Sequence, residues 1–354
     1  MAAVPHALTI ASVEAKTLRT LIVKDYGIIL RFRKGLIVVD RKSGDKCKVP
    51  LSAVDQILLL TGGILVSSKL MRIASRNGIE IVILDSRGNP CARLVPPYHT
   101  RTVMTKRLQY EAYNNEKGVE LAKAFVMGKI LNQSGLLKYL ARNRSNIEVK
   151  ERIYRDAIEV ESFVELVREV NASRIESVRM KLMGIEAEAA KVYWRCIASI
   201  LPSELNFPGR VQESNDVFNK LLNYGYGVLK SYVWRAILLA GLDPYAGLLH
   251  ADRSGRPSLV LDLMEEFRQP VVDRTLIALT STNLKLVLNS LEEDGRIKKE
   301  VRARIVTEIV KRMNTNVRYE MGKVPLERAV LRQARRIARY LRGQENYRPY
   351  VERW

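Results

Sequence analysis

Residues 79–112 read IEIVILDSRGNPCARLVPPYHTRTVMTKRLQYEA, and the fold class turns on the change of pattern inside them. IEIVILD is a short β-branched run, and Arg87-Gly88-Asn89-Pro90 is a turn signal after it. Pro96 and Pro97 then break the chain, and beyond them apolar residues recur every three or four positions. Upstream lie more strand-like runs, TLIVKD, GIILRFRK, GLIVVDR, KCKVP and DQILLL, separated by turns such as Ser43-Gly44-Asp45. A single helical insert, KLMRIASRNG at 69–78, precedes the IEIVILD strand. Downstream, helical periodicity runs through 102–142, 149–200, 213–240 and 284–342. The expectation is an α+β protein: a small N-terminal β-sheet domain over 1–97, a linker near 95–103, and a larger all-α domain over 98–354.

Composition narrows the class of partner. The 354 residues are 47% hydrophobic, enough for two real cores, and 59 Lys and Arg against 38 Asp and Glu give a net charge of +21. Such an excess favours a polyanion, with nucleic acid ahead of a membrane surface. Apolar runs such as ILLL at 57–60 fall far short of the roughly 20 residues a membrane span needs. The opening MAAVPHALTIASVEAK lacks the charged start and apolar core of a secretory signal, so cytoplasmic residence is expected. Cys47, Cys91 and Cys196 are too widely spaced for a zinc knuckle or a disulfide framework, and read as buried thiols.

Two stretches place carboxylates where apolar residues belong. In GIEAEAAKVYW, 184–194, the helical neighbours of Glu186 are Leu182, Met183, Ala189 and Ala190, so Glu186 sits in an apolar stripe. Glu188, about 200° further round, neighbours Lys191 and reads as a surface charge. A carboxylate in an apolar stripe needs a cation, a metal or a donor. In GLLHADRSGRPSLVLDLMEEFR, 247–268, His250 precedes an apolar run interrupted by Asp262 and Glu265, which share a face if LVLDLMEEFR is helical. One imidazole and carboxylates suit Mg²⁺ or Mn²⁺. The competing reading is structural: Glu186 in a salt bridge to one of the many arginines, His250 satisfied locally, and Glu265 paired with Arg268 at i+3.

Two further features are basic or amide-rich. FPGR at 207–210, ending in Arg210, leads into Asp216, Asn219 and Asn223 at helical spacing beside Tyr224 and Tyr226. This set positions a phosphate or a base, or it is a capped, Tyr-rich core helix. The tail from 296 to 354 holds 17 Lys and Arg against 6 Glu, about half the net charge. Within it Arg328, Arg332, Arg335, Arg339 and Arg342 follow a 4, 3, 4, 3 spacing, one stripe along a helix opposite Val330, Ala334, Ile337 and Leu341. Such a stripe either tracks a phosphate backbone or is a solvated face. Tyr340, Tyr347, Tyr350 and Trp354 either stack on unpaired bases or pack the C-terminus.

Taken in order, GIEAEAAKVYW, FPGR, NDVFNKLLNYGYGVL, GLDPYAGLLH and GRPSLVLDLMEEFRQPVVDR resemble the CRISPR-associated protein one family, the integrase subunit of spacer adaptation. LTGGILVSSKLMRIASRNGIEIVILDSRGNPCARL and QARRIARYLRGQENYRPY resemble that family's β-domain and closing helix. The resemblance implies that Glu186, His250 and Glu265 are metal ligands for Mg²⁺ or Mn²⁺, with Asp262 as an accompanying acid. Ala187 stands where the family commonly has Gly, and Glu265 where many members have Asp. It further implies a prokaryotic, cytoplasmic, metal-dependent DNA endonuclease and integrase that inserts short fragments into a repeat array by 3′-hydroxyl attack. The partners implied are double-stranded and branched DNA, a second copy joined through the β-domain, and CRISPR-associated protein two. His250 is either a ligand or a general acid on the leaving oxygen. The rival readings are a non-catalytic DNA-binding scaffold and a structural protein whose buried acids pair with arginines.

Overall fold

The computed structural model describes residues 20–95 and 103–354. The expected linker and its two prolines, and the N-terminal 19 residues, lie outside them. The first part runs β1 (Thr20–Val23), β2 (Ile29–Arg33), β3 (Leu36–Asp40), β4 (Lys46–Pro50), β5 (Gln56–Leu59), β6 (Leu65–Val66), α1 (Ser68–Arg76), β7 (Glu80–Leu84) and β8 (Pro90–Leu94). These strands form two four-stranded sheets, ordered β4-β3-β2-β6 and β1-β5-β7-β8. In the second sheet β1, β5 and β7 are parallel and β8 closes the edge antiparallel.

The parallel sheet is buried on both faces, which is why TLIV, QILL and EIVIL are almost continuously apolar. Leu21, Val23, Ile57, Leu59 and Ile81 pack toward the other sheet and α1. Ile22, Leu58, Leu60, Val82 and Leu84 join the core of the helical part instead. The β-sheets are therefore clamped to the helices by a shared core. The turn after β7 is locked down as well: a Cβ on Gly227 would lie 2.5 Å from the Gly88 carbonyl oxygen, and Gly88 itself has φ +83.

The second part contains α2 (Val103–Ala112), α3 (Glu116–Arg142), α4 (Ile147–Arg168), α5 (Arg179–Ile200), α6 (Val217–Leu239), α7 (Ser258–Met264), α8 (Arg274–Thr282), α9 (Leu284–Leu288) and α10 (Lys299–Asn314). A hairpin, β9 (Asn316–Tyr319) and β10 (Gly322–Pro325), precedes α11 (Leu326–Leu341). The helical reading of 284–342 misses that hairpin, because Asn316, Gly322 and Pro325 interrupt a periodicity that resumes on both sides. The stretch LVLDLMEEFR is helical only to Met264. A π-helical turn, Arg268–Asp273, follows, and Pro270 supplies its physical reason: without an N–H it cannot close an ordinary helical bond.

Local caps set the helix starts. Asn115, Asn146 and Asp216 accept from backbone N–H groups at the beginnings of α3, α4 and α6. The C-terminal segment folds back onto α3, where Asn132 donates to the Tyr350 carbonyl at 2.8 Å and accepts from the Glu352 N–H at 2.9 Å. Tyr350 stacks on Phe267 and Trp354 lies against Tyr139, so these rings pack the terminus and are not free platforms for bases. Of the three free thiols Cys196 is buried, but Cys91 is exposed, against the expectation for it.

Candidate active site

Helices α3, α5 and α6, the loop at 207–212 and the segment that follows α7 wall a cleft of about 900 Å³ lined by Lys129, Glu186, His250, Glu265, Arg268, Arg210 and Tyr226 among others. The carboxylates of Glu186 and Glu265 and the imidazole of His250 thus meet one space from three separate elements. Asp262 stands behind His250, fully buried at 0% exposure. Its Oδ2 accepts the N–H groups of Leu248 and Leu249 at 2.6 and 3.1 Å, and its Oδ1 accepts the His250 N–H at 2.8 Å. The same Oδ1 lies 2.7 Å from His250 Nδ1. An ionised carboxylate only accepts, so the proton sits on Nδ1 and Nε2 presents its lone pair. That lone-pair nitrogen is 3.9 Å from Oε1 of Glu265.

The basic residues complete the site, and sequence reasoning named only Arg268 among those closest in. Lys129 on α3 bridges the two acids: it pairs with Glu186 and lies 2.6 Å from Oε2 of Glu265. Oε2 of Glu265 is thus taken up by the Lys129 ammonium. Arg268 reaches the other oxygen, Oε1, with Nε at 3.0 Å and Nη2 at 2.9 Å. Burial pushes the Glu265 carboxyl up, but the Arg268 guanidinium and the Lys129 ammonium outweigh it and hold it well below the usual carboxylate range. Burial pulls the Lys129 ammonium down, and the fields of Glu186 and Glu265 more than reverse this. The signal for Lys129 is weaker than that for Glu186: Phe125 and Val126 on one side of it are apolar, but Asn132 and Gln133 on the other are not.

The amide-rich stretch does two things at once. Asp216 caps α6 through a bond from the Asn219 N–H at 2.9 Å, as the structural reading expects. Asn219 and Asn223 also fix the Arg210 guanidinium, accepting at 2.9 and 2.6 Å. Arg210 and Arg268 lie over Tyr226, 5.5 and 4.6 Å from its ring centre. Tyr226 in turn donates to buried Asp273 at 2.5 Å, and Tyr193 donates to the other oxygen at 2.8 Å.

The donor set suits a hard divalent cation: an Nε2 lone pair oriented by a carboxylate on Nδ1, the Glu265 carboxylate, and Glu186 opposite. Gln269, which also lines the cleft, buries an Oε1 with no donor among the described residues. No group of three His, Cys, Asp or Glu side chains is already gathered at cation-holding distance among the described residues, because Lys129 stands between Glu186 and Glu265. The stripe of Arg328, Arg332, Arg335 and Arg342 lies exposed on the outer face of α11. Arg339 departs from it, half-buried and paired with Glu345 at 2.9 Å. No helix among the described residues is long and apolar enough to cross a membrane.

Comparison with known proteins points the same way. The family described as "CRISPR associated protein Cas1" matches residues 21–311. A CRISPR-associated endonuclease Cas1 of Pyrobaculum aerophilum is 40% identical over 331 residues, covering 93% of this chain and 98% of the relative. A casposase solved bound to integration product superposes with a TM-score of 0.79 at 21% identity, covering 94% of this chain and 93% of that one. A chain of a Cas6-RT-Cas1–Cas2 complex superposes with a TM-score of 0.72 at 18% identity, covering 97% of this chain and 37% of that one.

Proposed function

Because the chain belongs to the CRISPR-associated Cas1 family, we propose that it is a divalent-metal-dependent DNA endonuclease and integrase of CRISPR adaptation. It inserts short DNA fragments into a repeat array by attack of a 3′-hydroxyl on a phosphodiester. The observation that carries this reading is the set of His250 Nε2, Glu265 and Glu186 facing one cleft, with Asp262 fixing the imidazole from behind. His250, Glu265 and Glu186 would hold Mg²⁺ or Mn²⁺, which when bound would supply Lewis-acid activation of the attacking hydroxyl or water and charge neutralisation at the leaving oxygen.

The protein's own groups do the rest. Arg268 and Lys129 keep Glu265 ionised, so it remains a ligand at any physiological pH. Arg210, fixed by Asn219 and Asn223, offers its guanidinium to a phosphate at the cleft mouth. The α11 stripe of Arg328, Arg332, Arg335 and Arg342 holds duplex or branched DNA by its backbone, with a smaller share from Arg339. The partners proposed are a second copy joined through the β-sheets and a Cas2 subunit, the latter supported by the likeness of this fold to part of a chain solved in a Cas6-RT-Cas1–Cas2 complex. The proposed setting is the prokaryotic cytoplasm.

The test is strand transfer of a labelled fragment into a repeat-bearing plasmid by purified protein, with and without its Cas2 partner. Products should appear with Mn²⁺ or Mg²⁺ and vanish in EDTA. DNA binding without any metal-dependent cleavage or transfer would instead favour the non-catalytic scaffold.

A further inference from the structure

A second cleft, of about 730 Å³, adjoins the first and shares Arg210, Gln212, Tyr226 and Arg268 with it. Its other wall is built by the turn after β7, through Arg87 and Asn89, and by Lys230 of α6. Lys230 donates to Oδ1 of Asn89 at 2.8 Å, and no carboxylate lies within ion-pairing distance of it among the described residues. Asp85 is near enough for its field to be felt, but it accepts from the N–H groups of Arg87 and Asn89 and stays with its own turn. Arg210 is in the same condition: its partners are two neutral amides, one carbonyl and a ring face. The cleft also contains Glu213 and Asp294, but Asp294 is taken up by Arg296 at 2.5 Å.

Two half-buried cations whose direct partners are neutral are unfavourable as a purely structural arrangement: Asp85 reaches Lys230, and Asp216 and Asp273 reach Arg210, only through their fields, and none of them pairs directly with either cation. Burial pulls the pKa of both Lys230 and Arg210 down, which is the same imbalance seen from the proton's side. The wall is also rigid. Gly88 and Gly227 meet backbone to backbone, leaving no room for a Cβ on either, so Arg87 and Asn89 are held at fixed positions beside α6. An arrangement of this kind is preorganised for an anion that arrives with the substrate.

We propose that this cleft is a phosphate subsite for the DNA strand running out of the active site, with Lys230 and Arg210 holding a phosphodiester next to the reacting one and Arg87 at the rim. This rests on the reading of DNA as the substrate. It assigns the β-sheet part a direct place in substrate binding through the turn at residues 85–89.

The test is fluorescence anisotropy of a labelled single-stranded DNA 12-mer with the full chain in EDTA, so that no metal contributes. Lys230→Met and Arg210→Gln should each weaken binding by about tenfold, the size of one charge-assisted contact. Each should also lower the slope of log affinity on log salt by about 0.7. Lys230→Gln, which retains a donor for Asn89, should lose affinity equally, while Lys150→Gln on the exposed face of α4 should change it little. In the absence of DNA, Lys230→Met should melt at the wild-type temperature or above, because it removes an uncompensated charge. Wild-type affinity in the Lys230 variants, an equal loss in Lys150→Gln, or a clear fall in melting temperature for both Lys230 variants would overturn the subsite. A wild-type chain that binds no oligonucleotide would instead overturn the reading of DNA as substrate.

Discussion

Asp262 holds His250 at two points, accepting both its backbone N–H at 2.8 Å and its Nδ1–H at 2.7 Å through one carboxylate oxygen. The other oxygen binds the two preceding N–H groups, so one buried side chain shapes the loop and selects the tautomer. Asp262→Asn replaces an acceptor by an amide NH₂ that must face donors. Loss of about 1–3 kcal/mol of stability is expected from the mismatched bonds. Metal-dependent strand transfer should fall by about 10- to 100-fold as the imidazole loses its orientation. His250→Ala should abolish transfer while leaving the melting temperature within a few degrees of wild type. Thermal melts beside strand-transfer assays separate the two effects; an Asp262→Asn protein with full activity would show that the imidazole needs no such support.

Glu186 and Glu188 are two residues apart on α5 and face different surroundings. Glu186 is partly buried at the cleft, whereas Glu188 pairs with Lys191 at 2.6 Å in the open. An exposed i,i+3 pair is worth only a few tenths of a kcal/mol. Glu188→Ala should therefore keep full transfer activity, and Glu186→Gln should lose about a hundredfold or more. Equal sensitivity of the two would mean that the working face of α5 is not the one turned to His250.

The Lys129 ammonium occupies the space between Glu186 and Glu265 that their common cation would need. Its removal leaves two carboxylates facing one another, with Arg268 still paired to Glu265. Metal-free Lys129→Met should be less stable than wild type, and should gain more melting temperature on addition of Mn²⁺. Titration by calorimetry should show tighter Mn²⁺ binding in the variant. Weaker binding would assign Lys129 the opposite role, that of steadying the ligands for the ion.

What was legible in the sequence follows from how local each signal is. The strands of the parallel sheet and the long helices announce themselves because every residue in them carries the periodicity. The two-residue strand β6 and the hairpin at 316–325 carry too few residues to do so. Glu186 and Asp262 stand out as charges in apolar patterns, and both are buried or partly buried as that logic requires. Lys129 follows the rule only in part, because Asn132 and Gln133 stand beside it as well as Phe125 and Val126. Lys230 interrupts an apolar stripe of Tyr226, Gly227, Val233 and Trp234, whereas Arg87 gives no local signal, and neither sequence position points to the other. Their importance arises from the docking of a β-turn on α6, about 140 residues away, through a glycine contact that no periodicity encodes.

The α11 stripe offers a test of binding apart from chemistry. Arg328, Arg335 and Arg342 are exposed and pair with no carboxylate among the described residues, and Arg332 lies over the Tyr319 ring at 5.5 Å. The opposite face, including Val330, Ala334, Ile337 and Leu341, is buried, so these arginines can be replaced without disturbing the core. Arg339 is left out of the test because its guanidinium is already engaged by Glu345. Changing Arg328, Arg332, Arg335 and Arg342 together to Gln should weaken binding to duplex DNA of any sequence. The plot of log affinity against log salt should flatten by up to about 0.9 for each phosphate no longer neutralised, or roughly 3.6 if all four arginines meet phosphates. At saturating DNA the variant should recover most of its transfer rate, because these arginines act on bound and reacting DNA alike. An unchanged salt slope in a folded variant would make the stripe a solvated face or a protein interface, and would move the duplex footprint to another surface of the helical part.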